Sequence, residues 1–187
     1  MKNYQSNMLP NAALFGLYWA LASFILTLLY WVFDINLFSV GMSVFLGLIN
    51  IGVMILFLWL SNKTLRDKYL DGVLTYGQGF LNLLVTGLVS MVVGGVLMYI
   101  FYKFIAPDYL PKMGEKIMAM LQSNPNVPME AIEKTQAKFA NMTPENSVIK
   151  SIPGSLGFII AFSLIVSAFT KKKPDIFAAE NTTEEEN

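Results

Sequence analysis

Residues 12–33 read AALFGLYWALASFILTLLYWVF, and this stretch decides the fold class. It holds 22 residues without a formal charge, which as a helix rising about 1.5 Å per residue spans roughly 33 Å. The hydrocarbon core of a bilayer is about 30 Å thick, so the stretch reads as a transmembrane helix. The reading repeats downstream. Residues 37–60 (LFSVGMSVFLGLINIGVMILFLWL) are a second uncharged run. A third covers 80–106, with Lys103 in its last turn, where a long side chain reaches the interface. A fourth covers 148–170, with Lys150 at its border. Ahead of it, Thr143-Pro144-Glu145 supplies a capping hydroxyl and a Pro at the first helical position, so its helix starts near Pro144. The chain is therefore expected to be all-α: an integral membrane four-helix transmembrane bundle over residues 1–173, followed by a disordered acidic tail, 174–187.

Composition agrees. Of the 187 residues, 55% are apolar and only 14% charged, against about 25% charged in soluble domains. The 13 basic and 13 acidic side chains cancel, which argues against a nucleic-acid partner. The chain has no Cys and no His. Disulfides, thiolate nucleophiles, Cys/His zinc sites and Ser-His-Asp relays are excluded. A cleaved signal peptide is the competing reading of 12–33. The run exceeds the roughly 7–15 residues of a signal core, and Tyr30-Trp31-Val32-Phe33 stands where small residues would mark cleavage, so it reads as a retained span. Tyr30, Trp31, Trp59, Tyr99 and Tyr102 lie near span ends, as interface anchors do; Trp19 lies deeper.

The connections differ in length. Asp34-Ile35-Asn36 is a tight turn joining spans one and two. Residues 61–79 read as a polar link carrying Lys63, Arg66 and Lys68. Residues 107–147 are too long for a plain loop. Met113, Ile117, Met120 and Leu121 repeat at helical spacing, and Met129, Ile132, Phe139 and Met142 do so after Asn124-Pro125-Asn126-Val127-Pro128. Two short extramembrane helices are expected there, on the bundle or at the interface. One side of the membrane would hold Lys2, Lys63, Arg66, Lys68, Lys171, Lys172 and Lys173. The other would hold Lys112, Lys116, Lys134 and Lys138, with Lys103 and Lys150 at its borders. Basic residues in short loops favour the cytoplasm, which places both termini there and the long segment outside.

No span carries an ionisable group at its centre, which argues against proton relays and charged channel rings. The small residues fall at intervals of four: Ala12, Gly16 and Ala20; Ser39, Ser43 and Gly47; Asn82, Thr86, Ser90 and Gly94; then Ser147, Ser151, Ser155, Ser163 and Ser167 around Ile159. That spacing keeps them on one face, where backbones approach and hydroxyls bond between helices. Helix packing is the reading preferred for these faces, and a lining for a small ligand or lipid headgroup is the alternative. Asn50 and Asn82 are amides in hydrocarbon and are expected to pair. Gly77-Gln78-Gly79 lacks the remaining residues of a dinucleotide or P-loop motif. Asn62, Asn141 and Asn181 begin glycosylation-like triplets, of which only Asn141 falls on the outer side. Lys171-Lys172-Lys173 attracts anionic lipid or simply stops transfer. Glu130 and Glu133 share a helix face with Lys134 and Lys138 beside them, a solvated surface. No catalytic, cofactor-binding or metal-binding residue is assigned.

Leu74-Thr75-Tyr76-Gly77-Gln78-Gly79-Phe80 opens the third span, and Ile105-Ala106-Pro107-Asp108-Tyr109-Leu110 closes it. In these stretches, and in layout over residues 10–173, the chain resembles an uncharacterised family of small bacterial four-span membrane proteins, a domain of unknown function. The resemblance implies a bacterial inner-membrane location and brings no site residues. Physically, Gly77 and Gly79 read as a tight non-helical turn at the span's start, and Pro107 as its stop. The leading functional expectation is a non-enzymatic scaffold or subunit of a membrane complex, without cofactor, with membrane lipids and either a second copy or another membrane protein as partners. The alternatives are a small transporter or lipid-binding protein, and a membrane anchor for a peripheral cytoplasmic enzyme acting on lipid-linked substrates.

Overall fold

A computed structural model describes residues 4–35 and 39–172. Lys2, Asn36 of the first turn, Leu37 and Phe38 at the start of span two, Lys173, Asn181 and the acidic tail 174–187 lie outside the described residues. The described chain forms six α-helices: α1 (Tyr4–Val32), α2 (Val40–Thr64), α3 (Tyr76–Ile100), α4 (Tyr109–Gln122), α5 (Met129–Ala140) and α6 (Pro144–Thr170). Wider π turns prolong α2 over Leu65–Tyr69 and α3 over Phe101–Ile105. With those turns included, α1, α2, α3 and α6 are each long and apolar enough to cross a membrane. At most 22% of the apolar stretch of any span is buried within the chain. Side chains such as Phe169 (84% exposed) and Phe33 (70% exposed) face outward, as they do where the solvent is hydrocarbon.

α3 is the central helix, packed between α1 and α6, with α2 against all three. One end is tightly closed. There Met8, Ala12, Leu65 and Leu74 form one core, with Met54, Leu58, Leu83 and Val166 in a second. The backbone of Leu74 exchanges hydrogen bonds of 2.9 and 2.8 Å with that of Lys172, tying the α2–α3 connection to the end of α6. At the opposite end Phe101 is fully buried, with Trp31, Tyr102 and Tyr109 edge-on at 5.9, 5.6 and 5.3 Å. Trp31 and Tyr102 thus pack in a cluster as well as standing at a span end. α4 and α5 form the short helical pair expected between spans three and four, closed where Gly114 lies beneath the Phe139 ring.

Two boundaries are corrected. Residues 61–79 are not a loop: helix continues to Tyr69 and resumes at Tyr76. Lys and Arg are good helix formers, so the end of the apolar run marks the edge of hydrocarbon without ending the helix. Likewise α1 starts at Tyr4 and continues through Pro10. Gly77 and Gly79 are not a non-helical turn, because they lie in the first turn of α3. Thr75 caps that helix, its Oγ1 accepting from the Gln78 amide while Gln78 Oε1 accepts from the Thr75 amide. The left-handed residues that reverse the chain are Asp71 (φ 52°) and Gly72 (φ 82°). Two stops are as expected. Ala106 leaves helical geometry before Pro107 (φ −136°, ψ 67°), and Thr143 caps α6 by accepting from the Asn146 amide at 3.2 Å.

Candidate functional site

Two features of the bundle carry concentrated polarity or space: a buried amide–hydroxyl network at the closed end and a cleft beyond it. The network joins all four spans. Asn11 Nδ2 of α1 faces Ser61 O at 3.0 Å, Ser61 Oγ at 3.2 Å and Asn82 Oδ1 at 3.2 Å. Asn82 Nδ2 of α3 donates to Ser61 Oγ and Asn62 Oδ1, both at 2.9 Å. Asn62 Nδ2 of α2 donates to Thr170 Oγ1 of α6 at 2.7 Å, and the Thr170 hydroxyl donates to Val166 O at 2.9 Å. The Thr86 hydroxyl proton is committed to Asn82 O at 2.8 Å, so the 3.0 Å contact between Ser61 and Thr86 has Ser61 as donor. Asn62, Asn82, Ser61 and Thr86 are fully buried. Every member is neutral and does not titrate, so the network holds helices in register and offers no group for proton transfer.

Close backbone approach accompanies these bonds. A Cβ on Gly16 would stand 2.6 Å from Thr86 O, and one on Gly79 would stand 2.9 Å from Asn62 Nδ2. A Cβ on Gly87 would meet Ile159 Cγ2 at 2.4 Å, so the Ile159 side chain fills the notch that this glycine leaves in α3. Among the described residues, the buried Ser163 hydroxyl of α6 has no hydrogen-bond partner.

Beyond Gly87 and Ile159 the helices leave a cleft of about 940 Å³. That is near the top of the roughly 300–1,000 Å³ range in which proteins hold small molecules. α3 forms its floor through Gly94, Gly95 and Met98, α1 one wall through Trp19 and Phe24, and α6 the other through Ile152 and Phe158. Among the described residues, α2 reaches it through Asn50 and Met54 alone. Most of this lining is apolar. Small polar side chains (Ser23, Thr27, Asn50, Ser90, Ser151 and Ser155) are scattered along it, and the mouth carries Tyr99, Tyr102, Glu145 and Ser147. Lys103 joins them: its Nζ donates to Tyr99 Oη at 2.5 Å and lies 3.6 Å from Glu145 Oε1.

The small-residue faces divide accordingly. Ala12, Gly16 and Ala20, then Asn82, Thr86 and Ser90, then Ser163 and Ser167 are buried between helices, as packing requires. The α2 face is not: Ser39 and Ser43 are exposed, and a Cβ on Gly47 would meet nothing within 4 Å. Gly94, Ser147, Ser151 and Ser155 line the cleft. Asn82 pairs as expected. Asn50 pairs more loosely at the surface, donating to Leu46 O at 2.8 Å and Tyr30 Oη at 3.3 Å. Glu130 is exposed and paired with Lys134 at 2.6 Å. Asn62 is buried, which removes its glycosylation-like triplet from consideration.

Sequence reasoning missed Asn11, Ser61 and Asn62 because they stand just outside the uncharged runs. A signal was available: Asn11 lies one position before Ala12 and so beside the Ala12, Gly16 and Ala20 face. A family model described as "Protein of unknown function (DUF4199)" matches residues 14–172. No curated protein and no solved structure matches the chain.

Proposed function

The chain belongs to the family described as a protein of unknown function, DUF4199, and from that premise we propose that it is a non-enzymatic multi-pass membrane protein that binds an amphipathic lipid in the cleft on α3. The observation that carries this reading is the lining of the cleft, mostly apolar with scattered small polar side chains such as Ser23, Thr27, Asn50 and Ser90, and charged where Glu145 meets the neighbouring Lys103. An acyl chain matches the first part and a headgroup the second. The neutral character of the buried network fits a structural pin.

We place the protein in a bacterial inner membrane with both termini cytoplasmic. Support comes from the closed end, where Arg66 Nη1 donates to Thr170 O at 3.2 Å and Leu74 pairs with Lys172. Lys63, Arg66, Lys68, Lys171 and Lys172 thus gather at one end in short segments beside the spans, the position in which basic residues count toward a cytoplasmic face. The cleft then opens toward the outer half of the bilayer.

A second reading, a scaffold or complex subunit, is favoured by the α4–α5 pair. α5 buries none of its residues, and Met120 and Met129 are 48% and 71% exposed. Purification in a mild detergent, with mass spectrometry of everything retained, separates the two. A lipid held at about one per chain supports the cleft reading. A stoichiometric protein without lipid transfers the function to that complex, and an enzyme in that place makes the chain its membrane anchor.

A further inference from the structure

We propose that the mouth of the cleft selects a zwitterionic headgroup, with a phosphate held by Lys103 and Tyr99 on the α3 side and an ammonium held by Glu145 on the α6 side. This rests on the reading of the cleft as a lipid site and adds the headgroup class. Among the described residues, Glu145 is the one formally charged member of the cleft lining, and its ion-pair partner is Lys103, 3.6 Å away. Both side chains are about half exposed (46% and 50%). Such a pair is weak and easily parted, so a ligand that offers each member its opposite charge can replace the contact.

The hydroxyls around the pair set the direction. Tyr99 Oη accepts from Lys103, which leaves its proton for an incoming oxygen, so the α3 side presents donors. On α6 the Ser147 and Ser151 hydroxyls give their protons to their own helix, to Thr143 O at 2.9 Å and Val148 O at 2.7 Å. Their remaining lone pairs make the α6 side, with the Glu145 carboxylate, a row of acceptors. Phosphate on the donor side and ammonium on the acceptor side satisfies both. A headgroup with a phosphate and no cation would leave Glu145 facing a like charge, and an uncharged headgroup would satisfy neither side.

The test is competition in mixed detergent–lipid micelles between phosphatidylethanolamine and phosphatidylglycerol of identical chains, read by native mass spectrometry of the full chain. Wild type should retain the ethanolamine lipid over the glycerol lipid by roughly fivefold, about what one partly exposed charge contact supplies. Glu145→Gln should bring that ratio close to one with total bound lipid unchanged, and Glu145→Lys should invert it. Lys103→Met should lower retention of both lipids. Equal retention by wild type, or a preference that survives Glu145→Gln, overturns the headgroup assignment and leaves the cleft reading standing. No retained lipid of either kind overturns both.

Discussion

Asn82→Ala removes the residue whose side-chain hydrogen bonds link α1, α2 and α3. Asn82 makes three side-chain contacts in the network: donation to Ser61 Oγ, donation to Asn62 Oδ1 and acceptance from Asn11. The losses are unequal. Asn11 keeps the Ser61 carbonyl and hydroxyl as acceptors, and Ser61 keeps Thr86. Asn62 Oδ1 loses the donor it faces while fully buried, which costs about 1–3 kcal/mol. The other two contacts are worth about 0.6 kcal/mol each, the average for interhelical bonds measured in a membrane protein. The sum is about 2–4 kcal/mol, read as unfolding in mild detergent titrated with a denaturing one and followed by far-UV circular dichroism. Asn50→Ala is the control, since that amide sits at the surface; its cost should stay below about 0.5 kcal/mol. A double-mutant cycle of Asn82 and Asn62 should show coupling of at least about 0.5 kcal/mol. Asn82→Ala costing no more than Asn50→Ala would refute the claim that this network holds the spans together.

Further outcomes follow from named contacts. Gly16→Ala should destabilise more than Gly87→Ala, because its Cβ meets a backbone oxygen at 2.6 Å whereas Gly87 meets the Ile159 side chain. Thermal unfolding should show overpacking losses of about 1–3 kcal/mol, relieved by Ile159→Ala only for Gly87→Ala, and near none for Gly47→Ala. Because the chain has no cysteine, single cysteines report topology. Asn124→Cys should react with an impermeant maleimide in intact cells, and Lys68→Cys only after permeabilisation; the reverse pattern would invert the proposed orientation. At the start of α4, the Lys112 ammonium beside Asp108 holds its carboxyl below the usual carboxylate range. That tie is therefore present above the ordinary carboxylate value of about 3.9 and lost as pH falls through the depressed one. A carbon-detected NMR titration should place the Asp108 midpoint below about 3.9, and Lys112→Ala should raise it toward that value.

The spans were legible because twenty or so uncharged residues leave the chain few options in hydrocarbon. The α6 start was legible because Thr143 and Pro144 mark it chemically. The prolongation of α2 to Tyr69 was not. Charge sets where the membrane ends, and nothing between Ser61 and Tyr69 forbids helix. The same confusion concealed Ser61 and Asn62, which read as loop residues and prove to be buried partners of Asn82. The packing faces of α1 and α3 could be read from spacing by four where those helices meet, over Ala12, Gly16 and Ala20 and over Asn82, Thr86 and Ser90. On α2 the spacing misleads: Ser39 and Ser43 repeat at the same interval and are exposed. The cleft had a partial signal, since Gly94, Ser147, Ser151 and Ser155 belong to the small-residue faces for which a lining was the alternative reading. Its apolar walls had none: the cleft exists because α1 and α6 flank α3 while, among the described residues, α2 reaches it at Asn50 and Met54, and Phe158 reads like any other span residue.

Gly94 offers the most direct measurement of the central claim. A Cβ placed there meets nothing within 4 Å, and the position lies on the cleft floor. Gly94→Trp therefore fills the cleft from inside, while Gly94→Ala leaves it open. Native mass spectrometry of the two variants and the wild type, purified in the same mild detergent, reads bound lipid directly, with unfolding midpoints taken in parallel. One lipid is expected on wild type and on Gly94→Ala, and none on a folded Gly94→Trp. A lipid retained equally by all three, or absent from wild type, would contradict the cleft reading.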